Sequence, residues 1–452
     1  MSRPGVQRGL PWLAWTATRA LGLVGLLGLW VYGHRHVMAG ASDLALYWRW
    51  AFEAHHGMVP YVHIRMMYPP GVLPFMFLPW GSITAYRAAF LVLAFGADLV
   101  TFTRLRRHGQ GSGAWVWIGA GALLGPVFWG RFDIFVAAAM VLAVLDHRRG
   151  RPARAAAWLG LAASIKLWPI LLVLPVLRRS PAGRRLVVAA AAVAGPALLT
   201  LPVAAWGGLP GLLDTLRLQA GRGLEVESLF AVPLVVLHSL HAASYQPQLT
   251  IAWQFVGRAA DLLATLASVA AVVAVAWWAR LALRSGERAR SLGLLSFVLA
   301  VAVVATGKVI SPQYGVWVAA GAAVAVGEVG RGRRALLVCS GAFLASTQAL
   351  FPFLFHGLLA GAPAAAAAGV VHGATVLALA LAAVRVARNP NPTAVTMLET
   401  QSVPHRDSTL PPGSLSPADP VLHPESTRER EGCPARAAAA GLVPVTVGGA
   451  PT

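Results

Sequence analysis

Acidic residues are scarce: 17 Asp and Glu face 37 Lys and Arg, and charged residues make up only 12% of the 452-residue chain. A soluble domain carries about 25% charged residues, because its surface has to be hydrated. With a mean hydropathy of +0.63, the shortfall excludes a water-facing globule. Cysteine is rarer still. Its two copies, Cys339 in an apolar run and Cys433 in a polar tail, are badly placed for a disulfide and point to no metal site. Lysine is nearly missing as well: only Lys166 and Lys308 are lysine, and the other 35 basic residues are arginine.

What the chain has is long apolar runs, recurring along a sequence that is 57% hydrophobic. About 20 such residues cross a bilayer as helix. Lipid offers the backbone no hydrogen-bond partners, so the crossing segments must be helical. The expected fold is therefore all-α, a polytopic transmembrane helical bundle of roughly 11–13 membrane helices, short or re-entrant ones included.

A formal charge of +20 would suit nucleic acid, but the arginines are placed otherwise. They cluster between apolar runs: Arg104, Arg106 and Arg107; Arg148, Arg149, Arg151 and Arg154; Arg178, Arg179, Arg184 and Arg185; Arg284, Arg288 and Arg290; Arg331, Arg333 and Arg334; Arg385 and Arg388. This is the positive-inside pattern, which puts these loops in the cytoplasm. The expected surroundings are a lipid bilayer, the cell membrane, with no nucleic-acid partner and both termini cytoplasmic.

With the basic loops inside, residues 10–33 run outward as a first span, too long for a signal-peptide core and without a clean cleavage site. A polar outer loop reaches Tyr68, and residues 69–79 are apolar but short. Spans follow at 83–104, 113–129 and 132–147, then a short pair at 153–165 and 167–177 broken at Lys166. A span at 186–206 leads to a second outer loop, 207–227, and a short apolar stretch at 228–242. The remaining spans are expected near 257–283, 290–306, 313–327, 335–352 and 364–386, making residues 1–388 the membrane domain. Residues 389–452, rich in Pro, Ser, Thr and Gly, read as a disordered cytoplasmic tail.

The two lysines fall outside the basic clusters, one in an apolar hairpin and one at an outer turn. An ionisable group at membrane depth costs about 2.5–3.5 kcal/mol on insertion scales and is a functional hypothesis by default. A compact ammonium suits an anionic oxygen as a point charge. Asp43 lies just past the first span among Tyr47, Trp48 and Trp50, where desolvation would keep it basic enough to take a proton. Tyr68-Pro69-Pro70-Gly71 marks a rigid helix start, and Lys308 to Tyr314 crowds polar groups at another, a setting that favours an anion. His34, His36, His55, His56 and His63 match no closed zinc pattern.

In order along the chain, Asp43 to Tyr47, Gly57 to Tyr61, Tyr68-Pro69-Pro70, Gly130-Arg131-Phe132-Asp133, Ala163 to Pro169, Arg222 to Ser228, and Lys308 to Tyr314 with Trp317 resemble the membrane glycosyltransferases of the GT-C superfamily, and within it glycosyltransferase family 87. The resemblance covers roughly residues 10 to 386. It implies a polyprenyl-phosphate sugar donor, mannose foremost, and an outer-face acceptor that is a glycolipid, lipoglycan or protein. By that analogy Asp43 is the general base of an inverting transfer. Lys166, Lys308, Arg131 and Arg222 bind the donor phosphate, while Tyr68, Glu53, Glu227, Gln313 and Tyr314 bind substrate; no metal or other cofactor is called for. The sequence departs from the pattern in having no second acid beside Asp43. A transporter or lipid flippase with broken helices stays open as the alternative.

Overall fold

The computed structural model describes residues 4–32, 43–108, 111–241, 245–249, 252–284 and 290–388. The chain begins with α1 (Pro4–Tyr32). The expected outer loop then contains α2 (Leu44–His55), followed by a 3-10 segment, Pro70–Phe77, in place of the short apolar stretch. Next come α3 (Ile83–His108), α4 (Ser112–Leu124), α5 (Asp133–Arg148) and α6 (Pro152–Ile165). The expected break at Lys166 is present: α6 stops there, and a 3-10 turn, Trp168–Leu172, leads into α7 (Val173–Arg179). After α8 (Arg185–Ala205), the second outer loop carries α9 (Leu209–Ala220). The rest is α10 (Val232–Ser239), α11 (Arg258–Ala282), α12 (Leu292–Ala305), α13 (Gly315–Ala325), α14 (Arg333–Gln348), α15 (Phe355–Leu359) and α16 (Pro363–Arg388).

Two features correct the expected layout. Helices α2 and α9 occupy what read as loops. At 12 residues each they rise about 18 Å, too little to cross a bilayer and so invisible to a search for spans. A small antiparallel sheet also forms, in the order β1 (Leu224–Glu225), β3 (Trp253–Phe255), β2 (Pro247–Leu249). The expected tail, with His34 and His36, lies outside the described residues.

Among the described residues, five helical stretches are long and apolar enough to cross a membrane, and they surround shorter ones. The helices α5, α6, α12 and α13 have 16, 14, 14 and 11 residues, or about 16–24 Å of rise, against a hydrocarbon core of about 30 Å. They supply most of the deepest core, including Val136 to Val141, Ala155, Leu159, Phe297 to Leu299 and Val316 to Ala320. Small residues let them approach closely: a side chain at Gly160 would collide with the Ala192 backbone of α8. Because these central helices are short, the bundle has a recess at the end away from the arginine clusters.

Polar networks hold the middle of the bundle and its arginine-rich end. Within the α1, α3 and α4 corner, Asp98 is fully buried and takes the Arg19 guanidinium at 2.9 and 3.0 Å. It also accepts indole N–H bonds from Trp117 at 2.7 Å and Trp129 at 3.1 Å, and Arg19 donates onward to the carbonyls of Ile118 and Trp117. At the arginine-rich end, Glu328 accepts from Arg148 at 2.5 Å and from Ser291, while Asp146 accepts from Trp158 at 3.0 Å.

Candidate active site

The recess is built from chain breaks, each placed by a neighbouring element. Asp43 is the N-cap of α2, but its side chain makes no capping bond. It pairs instead with the Arg131 guanidinium, delivered by the turn that starts at Trp129, the indole held by Asp98. Tyr47, one turn into α2, sets its hydroxyl 3.4 Å from the Asp43 carboxylate and 3.2 Å from the Tyr68 hydroxyl. Tyr47 stacks on Phe132 at a ring distance of 3.9 Å, which ties α2 to the start of α5.

Tyr68 is itself clamped. The Tyr61 hydroxyl donates to its carbonyl at 2.8 Å, from a residue in the left-handed region (φ 65°). Thr215 and Gln219, one turn apart on α9, donate to the carbonyls of Met66 and Met67, each at 2.9 Å. Pro69 and Pro70 then start the 3-10 segment, and Gly71 lies so close to Ser164 that any Cβ would collide with its backbone. That contact sets Tyr68 beside Lys166, two residues beyond Ser164. The ammonium lies 4.5 Å from the Tyr68 ring centroid, 5.5 Å from that of Tyr314 and 5.8 Å from that of Trp317. A cation over three aromatic faces is held by their negative quadrupoles.

The result is a polar cavity of about 170 Å³ lined by Asp43, Tyr68, Arg131, Lys166, Arg222, Gln313 and Tyr314, with Gln219 and Ser311 beside them. Seven of the residues singled out in the sequence thus meet in one space. Gln313 contributes a buried Oε1 with no hydrogen-bond partner among the described residues. The cavity adjoins an apolar groove of about 520 Å³, and Met67, Tyr68, Lys166, Gln219 and Tyr314 line both. Beyond that neck, the groove runs along Leu216, Ala271, Val275, Val303 and Val309. Its α11 wall belongs to a helix only 17% buried in its apolar stretch, so the groove borders the lipid. Two of its indole N–H groups, those of Trp168 and Trp317, are buried with no acceptor among the described residues.

Three residues are placed elsewhere. Lys308 lines the groove and not the cavity, with its ammonium 2.7 Å from the Ala220 carbonyl at the end of α9, a favourable position for a cation. Glu53 sits at the far end of α2, 3.8 Å from Arg49. Glu227 is half-buried in the loop after β1 and does not line the cavity. The sequence reading passed over Gln219, and assigned Tyr47 and Ser311 no role of their own within the motifs that contain them. The four-residue spacing of Thr215 and Gln219 was a usable signal, but only once a helix was assigned there.

Arg222 is paired with Glu225 of β1. Burial pushes the Glu225 carboxyl from about 4.5 up to about 7, with Arg222 pulling the other way. Across that window the folded chain holds a proton that the unfolded chain has released, so stability falls as pH rises. Wild type should therefore lose more of its thermal midpoint between pH 5 and 7.5 in detergent than Glu225→Gln does. Equal losses would show that Glu225 ionises as an ordinary carboxylate.

No curated protein and no solved structure matches the chain. A family model does. It spans residues 67–312, more than half of the chain, and includes Tyr68, Arg131, Lys166, Arg222 and Lys308. With its membrane helices, the chain is a membrane glycosyltransferase and belongs to glycosyltransferase family 87.

Proposed function

We propose that the protein moves a hexose, mannose foremost, from a polyprenyl-phosphate donor to an acceptor on the extracytoplasmic side, with inversion at the anomeric carbon. The observation that carries this is the position of Lys166, which lines both the lipid-bordering groove and the polar cavity. A polyprenyl phosphosugar has the same division: hydrocarbon for the groove, phosphate at the neck, sugar in the cavity. The sidedness rests on the arginine clusters, whose described members lie at the opposite end of the helices.

The acceptor hydroxyl oxygen attacks the anomeric carbon, the bond to the phosphate oxygen breaks, and the lipid phosphate leaves with the electron pair. Asp43 takes the hydroxyl proton. The phosphodiester carries one negative charge and its departure adds a second, so cations at the neck stabilise the transition state more than the bound donor. Lys166, Arg131 and Arg222 all face the cavity. Arg131 is paired with Asp43, and a phosphate competing for that guanidinium frees the carboxylate to act as base. The Gln313 oxygen and the Tyr68 and Tyr314 hydroxyls face the sugar.

The test is transfer of label from polyprenyl phosphomannose in membranes containing the overexpressed protein. Label should reach a glycolipid, lipoglycan or protein acceptor. Lys166→Gln should raise the donor KM about tenfold or more, the scale of a lost charge-assisted contact. Absence of transfer from every polyprenyl phosphosugar offered would overturn the proposal.

A further inference from the structure

Asp133 opens α5 two residues after Arg131, and its burial is unusual. Its side chain is 0% exposed, and neither carboxylate oxygen has a hydrogen-bond partner among the described residues. A buried carboxylate left alone is expensive, so it needs a cation nearby. The topology provides one. Helices α5 and α6 follow each other through a tight turn and pack together, so they run antiparallel. The start of α5 is therefore level with the end of α6, where the chain breaks at Lys166. Residues 133 and 166 lie almost equally far along the chain from the turn between the two helices, so their charges stand on the same level of the hairpin. Asp133 lines neither the cavity nor the groove, whereas Lys166 lines both.

We propose that Asp133 is a positioning residue for sugar transfer: its buried carboxylate anchors the Lys166 ammonium at the neck, where the donor phosphate meets it. This rests on the reading of Lys166 as a phosphate ligand. Three aromatic rings bound the ammonium but fix it only loosely, since a ring face attracts a cation over a broad area. The carboxylate adds a buried negative charge at a fixed point of the same hairpin, without a hydrogen bond to the ammonium, and acts on donor through the lysine alone. It also gives the chain a second acid close to the catalytic cluster, contributed by a different helix from the one Asp43 caps.

A double-mutant cycle tests this, using full-length protein in detergent with polyprenyl phosphomannose as donor. Lys166→Gln and Asp133→Asn should each raise the donor KM about tenfold or more, with the acceptor KM within about threefold of wild type. The pair D133N/K166Q should be no worse than K166Q alone, because the interaction is already lost. Asp133→Glu should recover most of the donor affinity. Effects that multiply in the double variant, or a donor KM unmoved by Asp133→Asn, would overturn this inference alone. An unmoved donor KM in Lys166→Gln would overturn it together with the phosphate reading. Should Asp133→Asn fail to fold, D133N/K166M removes both charges and should restore a cooperative melt; no recovery there also overturns the pairing.

Discussion

Asp43→Asn should lower sugar transfer by about 10²–10⁴-fold, the range for loss of a general base, while donor binding stays close to wild type. The substitution keeps the shape of the side chain and an oxygen that can accept from Arg131, so the fold around α2 has little reason to change. What it removes is the ability to take a proton. Asp43 is suited to that task by access: its side chain is 30% exposed and lines the cavity, whereas Asp133 is sealed off. Its pairing with Arg131 also predicts a companion result. Arg131→Gln should leave Asp43 without its cationic partner and the donor without one phosphate contact, raising the donor KM more than it lowers kcat. Transfer that survives Asp43→Asn would remove Asp43 from the chemistry. The measurement is initial rate against donor concentration, with donor binding followed separately on the same preparations.

The largest loss of stability is expected far from this chemistry, at Asp98. Breaking a buried ion pair from one side costs about 3–5 kcal/mol, because the remaining charge is stranded. Asp98→Asn strands Arg19, which is 4% exposed, and weakens the acceptor shared by the Trp117 and Trp129 indoles. Such a cost should appear as a thermal midpoint in detergent lower by many degrees, with a reduced yield of folded protein. Removing the charge on both sides, R19M/D98N, should recover part of that loss, since no ion is then left unpaired. A midpoint for Asp98→Asn within a degree or two of wild type would show that the corner is not held by this pair. Because Trp129 leads directly into Gly130 and Arg131, the single variant should also disturb the donor KM.

Much of this was legible in the sequence, for identifiable reasons. The arginine clusters and apolar runs give spans by composition alone, and the helix ends at Lys166 and around Arg131 agree closely with the expected breaks. Lys166 stood out because the chain otherwise writes its positive charge as arginine. Asp98 gave a comparable signal, a lone acid within an apolar span, yet its role depends on Arg19 lying 79 residues earlier, a pairing that no local pattern encodes. Helix α9 was hidden because its 12 residues mix polar and apolar positions, and with it went Gln219. Glu53 follows Asp43 in what read as one outer loop and was expected to bind substrate, but the segment is helix α2. Ten positions along a helix amount to about 15 Å, and that distance leaves Glu53 outside the cavity. The sheet of β1, β3 and β2 joins residues on either side of α10, so it is settled by tertiary pairing and not by strand propensity.

The separation of Arg19 from Asp98 also sets a sequence of events during synthesis. When α1 leaves the ribosome, its arginine has no counter-charge, and a lone arginine near the middle of a helix costs about 2.5–3.5 kcal/mol on insertion. The acid arrives only with α3, and the carbonyls that complete the guanidinium's bonds arrive with α4. Until then α1 is a poor anchor that gains from staying near the insertion machinery. Chains stopped before residue 98 should be released from the membrane or degraded more readily than chains stopped after residue 124. The first helix made would thus be among the last to become secure.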